Sequence, residues 1–225
     1  MKNFLVKYFP FFFLLIVALV LYANSTHNIM LDILFKPLIV ISLLAYLFIR
    51  GGQKGKAALF AVSGLLLSLS GDVLLIFQDE NPLFFIGGLV SFLVAHIFYI
   101  FYYIRSSGSI TVKKLKYKTV FILILLSYGF VFCLLLYNNL GVLKVPVFVY
   151  TAVLIGMNIS ALNRYGKVND TSFILIMTGA LCFALSDSLL AINKFLFPIP
   201  LAGIWIMTTY AAAQFFIVQG VLNKK

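Results

Sequence analysis

Apolar runs of about twenty residues recur from one end of this 225-residue chain to the other. A run of that length crosses a bilayer as a helix. Eight can be read, over 8–22, 33–49, 57–77, 82–104, 119–137, 145–162, 171–193 and 201–222. They lack the dyad alternation of outer-membrane barrel strands, and backbone in hydrocarbon must satisfy its own hydrogen bonds. The expected fold is therefore all-α: a polytopic membrane helix bundle of eight transmembrane helices, forming a single domain over 1–225. Composition agrees. The chain is 63% hydrophobic and 10% charged, whereas a soluble domain is about 45–50% apolar and about 25% charged.

A net charge of +11 would point to nucleic acid in a soluble protein. Here the basic residues sit in short loops between apolar runs, where they set topology and face anionic lipid. Membrane lipids are expected partners and nucleic acid is not. With the N-terminus inside, only Lys36, Lys144 and Lys194 of the 17 basic residues fall on the far side. One missed span would invert every later loop and erase that bias. Both termini are therefore expected in the cytoplasm, and the membrane is expected to be the bacterial inner (plasma) membrane. The first run reads as an uncleaved helix and not a signal peptide, because seven spans follow it and Ala23 offers a poor cleavage site. Lys36-Pro37 reads as the first turn of the second helix, where proline is tolerated. Cys133 and Cys182 lie mid-span and read as small buried hydrophobes, not as a disulfide. No metal site and no cofactor is expected.

Ser70-Gly71-Asp72 places a carboxylate inside an otherwise uncharged run, and Leu185-Ser186-Asp187 does so again. No other carboxylate falls well inside an apolar segment. Both host helices run from inside to outside. Asp72 and Asp187 then lie roughly 20–25 Å from the cytoplasmic end, at one depth, where they can share a cavity. Aligning them also pairs Gly64 with Gly179, Leu66 with Leu181, Leu74 with Leu189 and Leu75 with Leu190. An offset of four helices is consistent with a parallel four-plus-four repeat. Leucine matches are cheap in so apolar a chain, so the echo alone does not separate duplication from chance.

A carboxylate at this depth costs a few kcal/mol and marks a functional site by default; the plainer reading is a buried Asp that ties helices together. Gly64, Ser68 and Gly71 share the face of Asp72. They either let a neighbouring helix approach or leave room for a ligand. His96 and Tyr99 lie on one face of the fourth helix with Phe92 and Tyr103. A lone buried His is more often a hydrogen-bonded core residue than a catalyst. Tyr210 and Gln214 form an i, i+4 pair inside the eighth span. Lys36 and Lys194 sit near the outer boundary, either snorkelling or forming a cationic rim for a phosphate headgroup. Gly-x-Ser-x-Gly, Walker, His-Glu-x-x-His and Rossmann motifs are absent, which disfavours a serine hydrolase, a nucleotide-driven pump and a zincin.

Four patterns occur in order: Ser70-Gly71-Asp72 with Leu75; Phe92 with His96 and Tyr99; Ser186-Asp187 with Leu190, Ala191, Asn193 and Phe195; and Tyr210 with Gln214. With Lys36-Pro37-Leu38 they resemble the YhhN family of multi-pass membrane proteins, whose animal members are lysoplasmalogenases. The likeness runs from about Lys36 to Gly220. It implies hydrolysis of the vinyl ether bond of a lysophospholipid substrate, giving a fatty aldehyde and a glycerophospho-ethanolamine or -choline. It also implies acidic residues at Asp72 and Asp187.

That chemistry suits the residues. A vinyl ether is cleaved by protonation of its β-carbon, which gives an oxocarbenium ion that water attacks. The reaction needs one carboxylic acid in its protonated form and one carboxylate to stabilise the cation or activate water. Apolar burial and a second nearby carboxylate both favour the protonated form of a carboxyl group. Asp72 and Asp187 are the expected acid and base, in an order left open. His96, Tyr99, Tyr210, Gln214 and Asn193 are expected to orient water or substrate, and Lys36 and Lys194 to meet the headgroup. Two rivals fit the same residues: a proton-coupled transporter of small molecules or lipids using the Asp pair, and a membrane sensor without turnover.

Overall fold

A computed structural model describes residues 2–26, 28–52, 54–108 and 115–224. Lys113, Lys114 and Lys225, part of the charge bias above, lie outside these residues. The described residues fold into eight long helices: α1 (Lys2–Thr26), α2 (Ile29–Arg50), α3 (Lys56–Ile76), α4 (Pro82–Arg105), α5 (Lys118–Leu136), α6 (Lys144–Leu162), α7 (Asp170–Phe195) and α8 (Ala202–Leu222). All eight are long and apolar enough to cross a membrane. The protein is an integral, multi-pass membrane protein.

Local chemistry sets the helix starts. The Asn28 side chain accepts from the amides of Met30 and Leu31 and begins α2 at Ile29. Pro37 therefore lies inside α2, not in its first turn as the sequence implied. A membrane helix tolerates this because neighbouring helices and local adjustments satisfy the freed carbonyl. Asn81 caps α4 in the same way, with Pro82 at its first position. Pro fits there because its missing N–H would have had no helical partner. Gly51 ends α2 with a left-handed φ of 74°, a conformation that costs glycine little.

Packing is uneven. α3 packs most closely on α4, and α7 on α8. Small residues make the first contact close: a Cβ on Gly71 would stand 2.6 Å from the Phe92 ring, and one on Gly64 2.7 Å from the Tyr99 ring. α1 joins the core through Phe9, stacked on Tyr46 of α2 at 3.9 Å, and Phe13, stacked on Phe215 of α8 at 5.2 Å. α5 packs chiefly on α6 and is the least buried of the eight spans. Two short 3₁₀ turns, Tyr137–Asn139 and Gly141–Leu143, join α5 to α6. Cys133 and Cys182 are free and only partly buried.

One loop cation differs from the sequence reading. Arg164, one of the loop basic residues expected to set topology and face anionic lipid, is fully buried. Its guanidinium donates to the Tyr103 carbonyl at 3.3 Å, to Ser106 Oγ, and to Ser172 Oγ at 3.1 Å. Ser172 in turn donates to the Gly220 carbonyl at 2.7 Å. The Tyr102 and Tyr103 rings flank the charge at 5.5 and 5.8 Å. Burial pulls the guanidinium pKa down from its ordinary value, but an arginine stays charged. The planar fork thus ties together the ends of α4, α7 and α8. Arg164→Ala should strand these acceptors and lower stability by about 2–4 kcal/mol. Arg164→Lys should recover only part of that, because an ammonium cannot reproduce the fork. Thermal unfolding in detergent measures both; an unchanged Tm in Arg164→Ala would contradict the assignment.

Candidate functional site

The site begins with the α3–α4 contact. Because Phe92 and Tyr99 lie over Gly71 and Gly64, rings occupy the space beside those glycines. Asp72, 2% exposed, meets α8. Tyr210 Oη donates to Asp72 Oδ2 at 2.5 Å. Gln214 Nε2 donates to Tyr210 Oη at 3.2 Å, and Tyr99 Oη donates to Gln214 Oε1 at 2.8 Å. Four of the residues singled out in the sequence thus form one hydrogen-bonded line across three helices.

Asp187 on α7 has different partners. Tyr150 of α6 donates to its Oδ2 at 2.7 Å. His96 of α4 brings Nε2 to 3.7 Å from the same oxygen, beyond hydrogen-bond reach. The buried imidazole makes no hydrogen bond to the described residues. Its ring is held by edge contacts, 5.5 Å from Tyr150 and 4.8 Å from Phe183. The Asp187 side chain keeps 13% of its surface exposed. It faces a cavity of about 40 Å³, whose other polar walls are Tyr150, Thr151 and Ser188 and whose apolar walls include Phe85 and Phe132. That volume accepts water but not a hydrocarbon chain. Ser188 Oγ donates to the Ala184 carbonyl at 2.6 Å, so in its short contact with Tyr128 of α5 the phenol is the donor.

Among the described residues the two carboxyl groups do not line this cavity together, contrary to the reading from helix direction and depth. Asp72 is absent from the walls of the Asp187 cavity. The Phe183 ring stands between the two clusters, 5.6 Å from Tyr210 on one side and 4.8 Å from His96 on the other. Equal depth did not imply adjacency, because α3 packs mainly on α4 and α2, and α7 on α8 and α6.

At the far end of the bundle from Arg164, a polar vestibule of about 500 Å³ opens between the ends of α1, α2, α3, α7 and α8. Lys36, Asp79 and Asn193 line it, and Leu75 carries its floor to within one turn of Asp72. Asn193 also accepts from the Ile199 amide at 2.8 Å, which fixes the α7–α8 turn. Lys194 stands apart, 4.9 Å above the Phe85 ring. Tyr150, Phe183, Tyr128 and Ser188 were not found from sequence. A mid-span tyrosine on a helix without an acid carries little signal, and Phe183 is one phenylalanine among 24.

Known proteins resemble the chain over most of its length. It is 29% identical over 227 residues to "Lysoplasmalogenase TMEM86A" of Bos taurus, covering 97% of this chain and 90% of that protein. It is 31% identical over 213 residues to "Lysoplasmalogenase TMEM86B" of Sus scrofa, covering 94% and 84%. "Lysoplasmalogenase" of Mycobacterium tuberculosis is 29% identical over 166 residues, covering 74% and 61%. No solved structure matches. The sequence profile of the YhhN family matches residues 31–221, which include both carboxylates and every side chain bonded to them. The chain belongs to the YhhN family.

Proposed function

We propose that this protein is a lysoplasmalogenase of the bacterial inner membrane, with both termini cytoplasmic. It hydrolyses the vinyl ether bond of a single-chain alkenyl-glycerophospholipid. The observation that carries this reading is the Asp187 carboxyl on the wall of a largely apolar cavity inside the membrane, bonded to Tyr150 and facing His96. The similarity to proteins named lysoplasmalogenase supports it.

Asp187, in its acid form, gives its proton to the β-carbon of the vinyl ether. The α-carbon becomes an oxocarbenium ion beside the carboxylate just formed. Electrostatic stabilisation of that cation by a fixed anion in a dry site lowers the barrier. Water, drawn into the small cavity, attacks the α-carbon and passes its proton to the carboxylate, either directly or by way of His96. The hemiacetal collapses to a fatty aldehyde and the glycerophospho-base, and the acid is restored. Water is the only co-reactant. Asp72 is a positioning residue here: it holds Tyr210, which packs on Phe183, which packs on His96. Lys36 in the vestibule and Lys194 beside Phe85 are two of the cations near that end of the bundle.

Kinetics of purified variants test this. Asp187→Asn should lower aldehyde release from lysoplasmalogen by about 10³-fold, the scale of a lost general acid. Asp72→Asn should lower kcat by about 10- to 100-fold with a small change in KM, and Asp72→Glu should restore part of it. Full activity in either Asn variant would sink the mechanism. Release of no aldehyde from any lysolipid, together with proton-driven uptake in vesicles, would favour a transporter. Tyr150→Phe, which keeps the ring but removes the hydrogen bond to Asp187, should cost about tenfold in kcat, as expected for one bond to a charged group. An unchanged kcat would remove Tyr150 from the chemistry.

A further inference from the structure

We propose that the groove between α5 and α6 seats the hydrocarbon chain of the substrate, with Lys144 at its outer mouth meeting the phosphate. The proposal rests on the lysolipid reading above and names the subsite that reading lacks. The Asp187 cavity, at about 40 Å³, has no room for a chain. The chain must therefore lie outside it, with only the reactive end reaching in.

The α5–α6 groove meets that need. It holds about 570 Å³, and its walls are almost wholly apolar, with Leu126, Phe130, Ile155 and Ile159 among them. Thr151 lines both this groove and the Asp187 cavity, so the two adjoin at that residue. The Thr151 hydroxyl is turned back onto the Val147 carbonyl at 2.9 Å. Gly129 opposite it lets α5 approach, since a Cβ there would stand 2.8 Å from Ile155 and 3.5 Å from the Thr151 methyl. From Phe148 to Ile159 the groove follows α6 for about 17 Å at 1.5 Å rise per residue. At the opposite end of α6 from Ile159, Lys144 Nζ stands 3.9 Å above the ring of Tyr137, a groove residue. Along α6 the cation at Lys144 comes first, the Asp187 cavity spans Val147 to Leu154, and the apolar groove overlaps it and runs on to Ile159, in keeping with the order of headgroup, reactive bond and tail in a single-chain phospholipid.

Other apolar surfaces fit less well. The groove of about 340 Å³ on α1 and α2 shares no residue with the Asp187 cavity. The opposite face of α5 shares Phe132 with it but is the surface of one helix, with no second wall.

Cys133, half-buried on the groove wall, gives the test. In a Cys182→Ala background, hexadecyl methanethiosulfonate places a long chain in the groove and methyl methanethiosulfonate places one carbon. The hexadecyl label should raise KM for long-chain lysoplasmalogen about tenfold, equivalent to about 1.4 kcal/mol of lost binding. The methyl label should leave KM unchanged, reductant should restore it, and Cys133→Ala should abolish the effect. A second readout needs no turnover. A non-hydrolysable lysophospholipid with a saturated hexadecyl ether should slow labelling of Cys133, and its butyl homologue and a diacyl phospholipid should not. Lys144→Gln should weaken that protection. Unchanged KM after hexadecyl labelling, or equal protection by diacyl lipid, would overturn the proposal and leave bulk lipid as the occupant. Chain-dependent protection without hydrolysis would support the groove while the hydrolase reading fails. Hydrolysis without protection would leave that reading and remove the groove.

Discussion

A carboxyl group placed in hydrocarbon has to find its hydrogen-bond partners inside the protein, because the solvent supplies none. The interior of this bundle is arranged around that demand. Asp72 is met by Tyr210, and Tyr210 by a line of amide and phenol that returns to α4. Asp187 is met by Tyr150. Each pairing crosses between helices, so it fixes relative rotation as well as satisfying a polar atom. Tyrosine suits such a pairing, since its phenol reaches the carboxyl while its ring packs among leucines and phenylalanines.

These pairings divide the polar interior into two parts of different character. The Asp72 cluster is closed, with every hydrogen-bonding member buried among rings. The Asp187 cluster is open on one side, where its cavity meets α5 and α6. Phe183 touches the rings on both sides of the boundary. A packed aromatic contact passes position, not protons. For that reason the two carboxyls are assigned unequal roles in the proposed reaction, although the sequence presents them as near copies.

What could be read from the sequence followed what the bilayer enforces. Hydrophobic length set eight spans, and helical periodicity placed Tyr210 with Gln214 and His96 with Tyr99. Asp72 and Asp187 stood out because charge is rare at that depth. What could not be read depended on which helix packs on which. The Tyr150–Asp187 bond joins α6 to α7, and nothing in either segment announces the other. Pro37 was misplaced because the cap that governs α2 is Asn28, outside the apolar run. Arg164 was misread because a loop position says nothing about burial when the loop folds back under three helix ends.

Arg164 has one further consequence. From Asp72, hydrogen-bonded side chains lead through Tyr210 and Gln214 to Tyr99, whose ring stacks on Tyr103 at 6.4 Å; Tyr103 in turn faces the guanidinium. The hydrogen bonds end at Tyr99, since its contact with Tyr103 is a ring stack. The buried guanidinium is therefore joined to the Asp72 cluster by packing, not by a chain of exchangeable protons.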